Sequence, residues 1–451
     1  CRVVPDRRDR CHAGDGLPTV SRVPLRGLLA YALPALPMAS LYFPVYVFLA
    51  PFYAETVGVS LGALGAVLIA IRLLDGITDP MMGWISDRFP TRFGRRKPWL
   101  ALATPVIIGS AWALFSPPEG AGIVWFSVSL TVLTLSWTMF LTPYFAWGAE
   151  MTGDYADRSR ITVVRESIGL MGTIVAALLF GFASDDRAGM GNLALFLAIA
   201  LPAAVLLALT GMAEPRNYSR EPIELRSLFG AIRREPLFIR LLTAYFINGA
   251  ANALPASLFL FYVNVRLEAD GWGEPLIAVY FLTAALAAPF WIWASGRFAK
   301  HRVWCWAMVY STLIFLCVLP LGPGDVLLYA IIVVASGAAL GADLSLPTSI
   351  QADVVDVDLQ RSGQQRTGGF FALWSVATKA AVGLTSGLAL VLLQVVGFSA
   401  VEPNTPGALW TLTVLYAALP IALKAIAIAL MWTWPLDRAA QEALRAEIEA
   451  R

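Results

Sequence analysis

Two aspartates interrupt an apolar run in "IRLLDGITDPMMGW", residues 71–84. Asp75 and Asp79 are four residues apart, and Arg72 lies three residues before the first. At about 100° per residue a helix stacks the two acids one turn apart on one face. Arg72, seven residues before Asp79, shares that face. Adjacent carboxylates in a low-dielectric setting repel, and desolvation disfavours their charged forms. A bound cation, or a proton on one of them, relieves both penalties. Hard monovalent cations such as Na⁺ take oxygen ligands, by the logic of other hard ions. Thr78 adds a hydroxyl beside the pair, and Thr138 can add another from a different element. The other reading is structural: Arg72 neutralises Asp75, and Asp79 ties its helix to a neighbour.

Few other charges interrupt the apolar segments. Arg165 and Glu166 open one, and Asp343, Lys379 and Lys424 lie inside others. A charge at the centre of a bilayer costs at least ~2.5–3.5 kcal/mol, so such residues face a protein interior or a water-filled cavity. Lys379, in "LWSVATKAAVGLTSG", is too deep to reach an interface easily; it is expected to be the counter-charge to the aspartates. Asp343, in "GADLSLPTS", either lines a cavity or serves helix packing. Lys424 has no motif around it and is expected to be structural or to face a cavity.

These residues need a membrane-embedded frame. The chain has 451 residues, 58% hydrophobic and only 14% charged. Soluble domains carry about a quarter charged residues, so the composition reads as an integral membrane protein. A net charge of +2 gives no sign of a nucleic-acid partner. Cys1, Cys11, Cys305 and Cys317 match no disulfide framework or metal-site spacing. His12 and His301 are expected to be solvated or interfacial. No catalytic constellation stands out, so neither enzymatic activity nor a cofactor is expected.

A membrane helix needs about 20 apolar residues. Twelve segments qualify, with approximate ends 28–53, 60–86, 98–116, 122–148, 164–183, 192–213, 237–264, 274–296, 303–320, 325–350, 368–396 and 408–433. Pro34, Pro37 and Pro44, and then Pro143, Pro255 and Pro347, predict kinks. Alternate loops are basic: Arg88, Arg92, Arg95, Arg96 and Lys97 after span two, and a run ending with Arg361 and Arg366 after span ten. The opposite loops carry Arg187 and Arg266. The positive-inside rule then places both termini in the cytoplasm of a bacterial-type inner membrane.

The long basic stretch 214–236 divides the chain into six-span halves, 28–213 and 237–433. "EPIELRSLFGAIRREP" within it predicts a short surface helix. Residues 1–27 form a basic, Pro/Gly-broken segment without the pattern of a signal peptide, expected to lack fixed structure. Residues 434–451 form a charged cytoplasmic tail. "GWISDRF" (83–89) closes span two and "IWASGRF" (292–298) closes span eight, a faint internal echo of the kind found in secondary transporters. The loop "SDRFPTRFGRRKPW" supplies topological charge; it can also act as a cytoplasmic gate, with Asp87, beside Arg88, pairing with arginines such as Arg95 and Arg96 across that side. Among 15 Trp, 24 Phe and 13 Tyr, Phe145 and Trp374 fall where a sugar ring or lipid tail could stack.

The stretch "RLLDGITDPMMGWISDRFPTRFGRRKPW" resembles the span-two signature of the glycoside–pentoside–hexuronide:cation symporters, the melibiose-carrier-like branch of the major facilitator superfamily. "TPYFAWGAEMTGDYADRSR" (142–160) and "QADVVDVDLQRSGQQRTGGFFALWSVATKA" (351–380) resemble that family's span-four end and its loop into span eleven. The resemblance covers 28–433. It implies an all-α major facilitator fold, twelve helices in two six-helix bundles around a central cavity. It implies symport of a small solute of the sugar, glycoside or uronide class by alternating access, coupled to Na⁺, Li⁺ or H⁺. The coupling acids would be Asp75 and Asp79, Thr78 would replace the family's Asn, Thr138 would match its span-four Thr, Arg165 its substrate-binding arginine and Lys379 its span-eleven lysine. The chain is expected to work as a monomer in the bilayer. Two sugar-binding acids of the melibiose carriers are absent: their positions correspond to Ala39 and Leu141. That departure keeps a second cargo open, a lipid or lysolipid moved by a transporter or flippase on the same fold.

Overall fold

Length and apolarity fix the elements, since backbone groups in a bilayer core must be satisfied within each spanning segment. A computed structural model of the chain describes residues 24–89, 91–151, 155–212, 235–362, 367–401 and 403–436. Most of the 1–27 segment, most of the central stretch 214–236 with its surface helix, and most of the tail lie outside the described residues.

Span one is broken. It runs as Leu25–Ala32, Ala35–Val47 and Leu49–Phe52, then a π-helical turn, Tyr53–Val57. The first break falls at Pro34, which has no N–H to continue the ladder. Span two is Leu61–Arg88, span three Lys97–Phe115, span four Ile123–Glu150, span five Tyr155–Gly181 and span six Asp186–Gly211. Span seven is Pro236–Phe261 with a π turn to Arg266, span eight Gly273–Arg297, and span nine Lys300–Leu316. Span ten is Val326–Ser362, span eleven Thr367–Val395, and span twelve Pro406–Thr413 and Leu419–Trp432 around a third π turn. Eleven of the twelve are long and apolar enough to cross a membrane; span nine has 17 helical residues. On the side of the basic loops span five begins well before its expected start and span ten runs well past its expected end, since the first turns of the one and the last turns of the other are polar. The helices continue through Pro143, Pro255 and Pro347. Spans two and eight end alike, with the amide of Phe89 bonded to Ile85 at 3.2 Å and that of Phe298 to Ala294 at 2.9 Å.

The two halves join away from the basic loops. One buried apolar core runs from the N-terminal bundle into the far half of the C-terminal bundle, reaching Leu258, Tyr329 and Leu390. The basic half of the C-terminal bundle has a core of its own around Phe238, Trp304, Phe370 and Trp374. Spans two and eleven make the tightest approach between bundles. A methyl group on Gly65 would overlap the Gly387 carbonyl, and an ideal Cβ on Gly62 lies 3.3 Å from Cβ of Gln394.

At the basic end each bundle is tied internally. Asp87 and Glu150 accept from Arg96 at 2.5 and 2.7 Å, and Arg95 also pairs with Glu150. These contacts link span two, its loop and span four within one bundle. Arg88 lies over the Trp84 ring at 5.1 Å. Lys300 with Asp353 and Arg361 with Glu235 do the same in the other bundle, at 2.8 and 3.0 Å. His301, expected at an interface, is buried at 4% exposure.

On the far side Glu55 has a buried oxygen without a hydrogen-bond partner. Burial pushes its carboxyl up to about 7, with the charges of Asp186, Asp270 and Glu274 adding to the effect.

Two predictions follow from this packing. In a background lacking the native cysteines, Gly62→Cys with Gln394→Cys will oxidise to an intramolecular disulfide, because the Cβ separation is close to the ~3.5–4.5 Å of such bonds; adding Gly65→Val will lower the yield on a non-reducing gel. The folded state holds the Glu55 proton more tightly than the unfolded chain, so stability falls as pH rises from the ordinary glutamate value of 4.5 through about 7. Glu55→Gln will flatten the melting temperature over that interval.

Candidate functional site

The polar residues of span two are placed by its helix and held by three other spans. Asp75 is buried at 3% exposure and Thr78 at 6%. Arg72 Nη1 donates to Asp75 Oδ2 at 2.6 Å. Its other terminal nitrogen bonds the Tyr46 hydroxyl of span one, and the guanidinium carbon lies 5.3 Å from the Tyr46 ring centre. Tyr42 packs on Tyr46 at 4.4 Å between centroids.

Asp79 has different partners. Thr138 of span four donates to Oδ1 at 2.8 Å, and Lys379 of span eleven donates to Oδ2 at 2.5 Å. The residues are 300 positions apart in sequence, and the pair crosses between the bundles. All four expected cation-site residues thus come together with Arg72 and Lys379. Each aspartate has its own cation, so the set is neutral: two acids, one guanidinium, one ammonium.

Two oxygens remain unused. Asp75 Oδ1 and Thr78 Oγ1 are buried and have no hydrogen-bond partner. An orphaned buried acceptor costs about 1–3 kcal/mol, a cost that a proton or a small cation at the pair would offset. Pro80 has no N–H to donate to the carbonyl four residues earlier, so the Gly76 oxygen, between the two acids along the helix, loses its usual intrahelical partner.

Span eleven accommodates Arg72 through a missing side chain. Any Cβ on Gly383 would overlap the Arg72 stem. Gly383 lies one turn beyond Lys379, so one helix face both admits the arginine and supplies the lysine.

The other expected residues lie elsewhere. Arg165 bonds Glu166 at 2.7 Å and lies over the Phe145 ring at 4.3 Å. Phe145 is 43% exposed, so its ring remains accessible beside the guanidinium. Trp374 is not available for stacking in this conformation: it is 6% exposed and stacks on Tyr245 at 3.8 Å. Asp343 does not join Lys379. It sits inside the C-terminal bundle, where Asn248, Asn252, Trp304 and Lys424 surround it.

Sequence reasoning missed Tyr46, Gly383 and the asparagines. Asn248 and Asn252 were visible as two amides four residues apart in an apolar span. Gly383 gave no signal, because nothing in one sequence marks which glycine an arginine on another helix will need.

The fold agrees with that of known proteins. Residues 30–438 match the family model described as MFS/sugar transport protein. The chain belongs to that family. It is a multi-pass integral membrane transporter of the major facilitator superfamily. The putative glycoside/cation symporter YagG of Escherichia coli is 25% identical over 423 residues, 89% of each chain. The sodium-dependent lysophosphatidylcholine symporter 1 of Gallus gallus is 24% identical over 435 residues, 86% of this chain and 80% of the relative. A bacterial homolog of the lysosomal transporter Spinster, inward-facing and unoccupied, superposes with a TM-score of 0.63 at 14% identity, covering 94% of this chain and 97% of that one. The nucleoside transporter NupG gives 0.65 at 12% identity, covering 90% and 99%.

Lys379→Met will strand Asp79 and lower stability. Adding Asp79→Asn will recover part of the loss, giving a coupling of roughly 1–3 kcal/mol in a double-mutant cycle read by unfolding in detergent. Gly383→Ala will displace Arg72 from Asp75, and transport will fall with it.

Proposed function

We propose that this family member couples uptake of a small organic solute to a monovalent cation, Na⁺ or H⁺, with Asp75 and Asp79 as the coupling carboxylates. The observation that carries the reading is the neutral four-charge set with two orphaned oxygens, Asp75 Oδ1 and Thr78 Oγ1. A cation or proton taken up there gives the set a surplus positive charge. The least costly response is release of Lys379 from Asp79. The freed ammonium then faces the space between the bundles, where a solute oxygen can meet it. Cation binding thereby favours solute binding, a positive coupling that must be reciprocal. Occupancy of both partners lets the span two–span eleven contact part and the opposite ends close, which is alternating access. The joined far halves fit an inward-facing state with both termini in the cytoplasm.

Arg165 beside the accessible Phe145 ring suits a glycoside or uronide, a cation for an acidic or hydroxyl oxygen and an aromatic face for the ring. A lysolipid is the second reading. It is favoured by the apolar residues Ala39 and Leu141, where the melibiose carriers have acids, and by relatives named for lysophosphatidylcholine.

The test is uptake into proteoliposomes under an imposed Na⁺ or pH gradient, with a glucuronide and a lysophosphatidylcholine as cargo. One gradient will drive accumulation of one cargo. Asp79→Asn will reduce that accumulation by roughly tenfold or more, within the usual span of coupling factors. Full gradient-driven accumulation in both Asp75→Asn and Asp79→Asn would sink the proposal.

A further inference from the structure

The C-terminal bundle contains a second charged centre that the coupling site does not use. Asp343 of span ten accepts from four donors. Asn248 and Trp304 donate to Oδ1 at 3.1 and 2.7 Å, and Asn252 and Lys424 donate to Oδ2 at 3.0 and 3.4 Å. A carboxylate has about four lone-pair sites, so Asp343 is saturated, mainly by neutral N–H groups.

Lys424 is in the opposite condition. It is 5% exposed. Its bond to Asn248 Oδ1 is 3.1 Å, and its contact with Asp343 is 3.4 Å, longer than the ~2.7–2.9 Å of a close charge-assisted pair. An ammonium has three donors, and these partners take two. Its positive charge is only loosely balanced, because its counter-ion is shared with three neutral donors.

Lys424 and Asn252 line a cavity of about 100 Å³. The remaining wall is mostly aromatic and aliphatic, with Phe259, Tyr280, Phe281, Phe315 and Ile332 among its members. Val47 of span one completes it, so the cavity lies against the junction of the two bundles. An apolar cavity of about 150 Å³ is enough to hold benzene. The volume here is smaller than that, so it suits a short branched alkyl group rather than a ring or a lipid with full-length chains.

We propose that this cavity is a binding site for a small carboxylate with an apolar body, its head on Lys424 and Asn252 and its body among the aromatic residues. A neutral alcohol would offer the third ammonium donor only an uncharged acceptor, and a cation would meet Lys424 with repulsion. The site is separate from the coupling carboxylates and does not rest on their role.

The test uses three probes with one branched alkyl body and different heads: 3-methylbutanoate, 3-methylbutan-1-ol and 3-methylbutylammonium. Binding to the purified chain is measured by calorimetry. 3-Methylbutanoate will bind, and the alcohol and the ammonium will bind at least about tenfold more weakly, the scale of a lost bond to a charged group. Lys424→Gln will weaken 3-methylbutanoate by a similar factor. Ala256→Phe, on an exposed position of the cavity wall, will fill the space and abolish binding while keeping the Asp343 cluster intact. Asp75→Asn will leave binding unchanged, so a failed coupling site and a failed cavity site give different results. The proposal is overturned if 3-methylbutanoate does not bind the unaltered chain, if the three heads bind alike, or if 3-methylbutanoate binds the Ala256→Phe variant undiminished.

Discussion

A carboxylate inside a membrane protein must have a cation, a proton or several N–H donors, and this constraint organises the interior of the chain. It is met in three different ways. Asp75 has a guanidinium on its own helix, three residues away. Asp79 has an ammonium from the other bundle and a hydroxyl from span four. Asp343 has one distant ammonium and three neutral donors. Only the second arrangement spans the bundle junction, so only there does a change in charge state act directly on how the halves sit together. The third arrangement is confined to one bundle and ties spans seven, nine, ten and twelve into a unit.

Backbone approach makes the second arrangement possible. Spans two and eleven meet through Gly65 and Gly387, with Gly383 leaving room for Arg72. A lysine reaches an acid on another helix at 2.5 Å because the two helices lie close enough for one side chain to cross between them. The larger apolar core holds the far halves together in this conformation, and the basic half of the C-terminal bundle packs on itself.

Much of this was legible in the chain. The twelve spans follow from runs of apolar residues, and eleven of them meet the length and apolarity needed without help from tertiary packing. The span-two acids stood out because charges are rare in such runs, and Lys379 stood out because it is too deep to reach water. What could not be read was pairing. The residues Asp79 and Lys379 are named by depth, but their contact depends on helix rotation and on which bundle face meets which. Trp374 looked available for stacking, yet its rotation places it on Tyr245 in the core. Asp343 was expected to line a cavity or serve helix packing, and which groups would surround it, the asparagines of span seven among them, could not be read. Helix ends were misjudged on spans five and ten, where polar turns continue past the apolar run.

Thermal unfolding of the purified chain in NaCl and in choline chloride, at several pH values, tests the central claim most directly. It is best done in a Glu55→Gln background, so that the outer carboxyl contributes no pH response, with and without Asp75→Asn. A ligand that binds only the folded state raises stability by RT ln(1 + [L]/Kd), about 2.7 kcal/mol at a hundred times Kd. The account predicts stabilisation by Na⁺, or by protons in its absence, that disappears with Asp75→Asn. Stability indifferent to both, or a response that survives in Asp75→Asn, would contradict it and leave Asp75 and Asp79 as structural ion pairs.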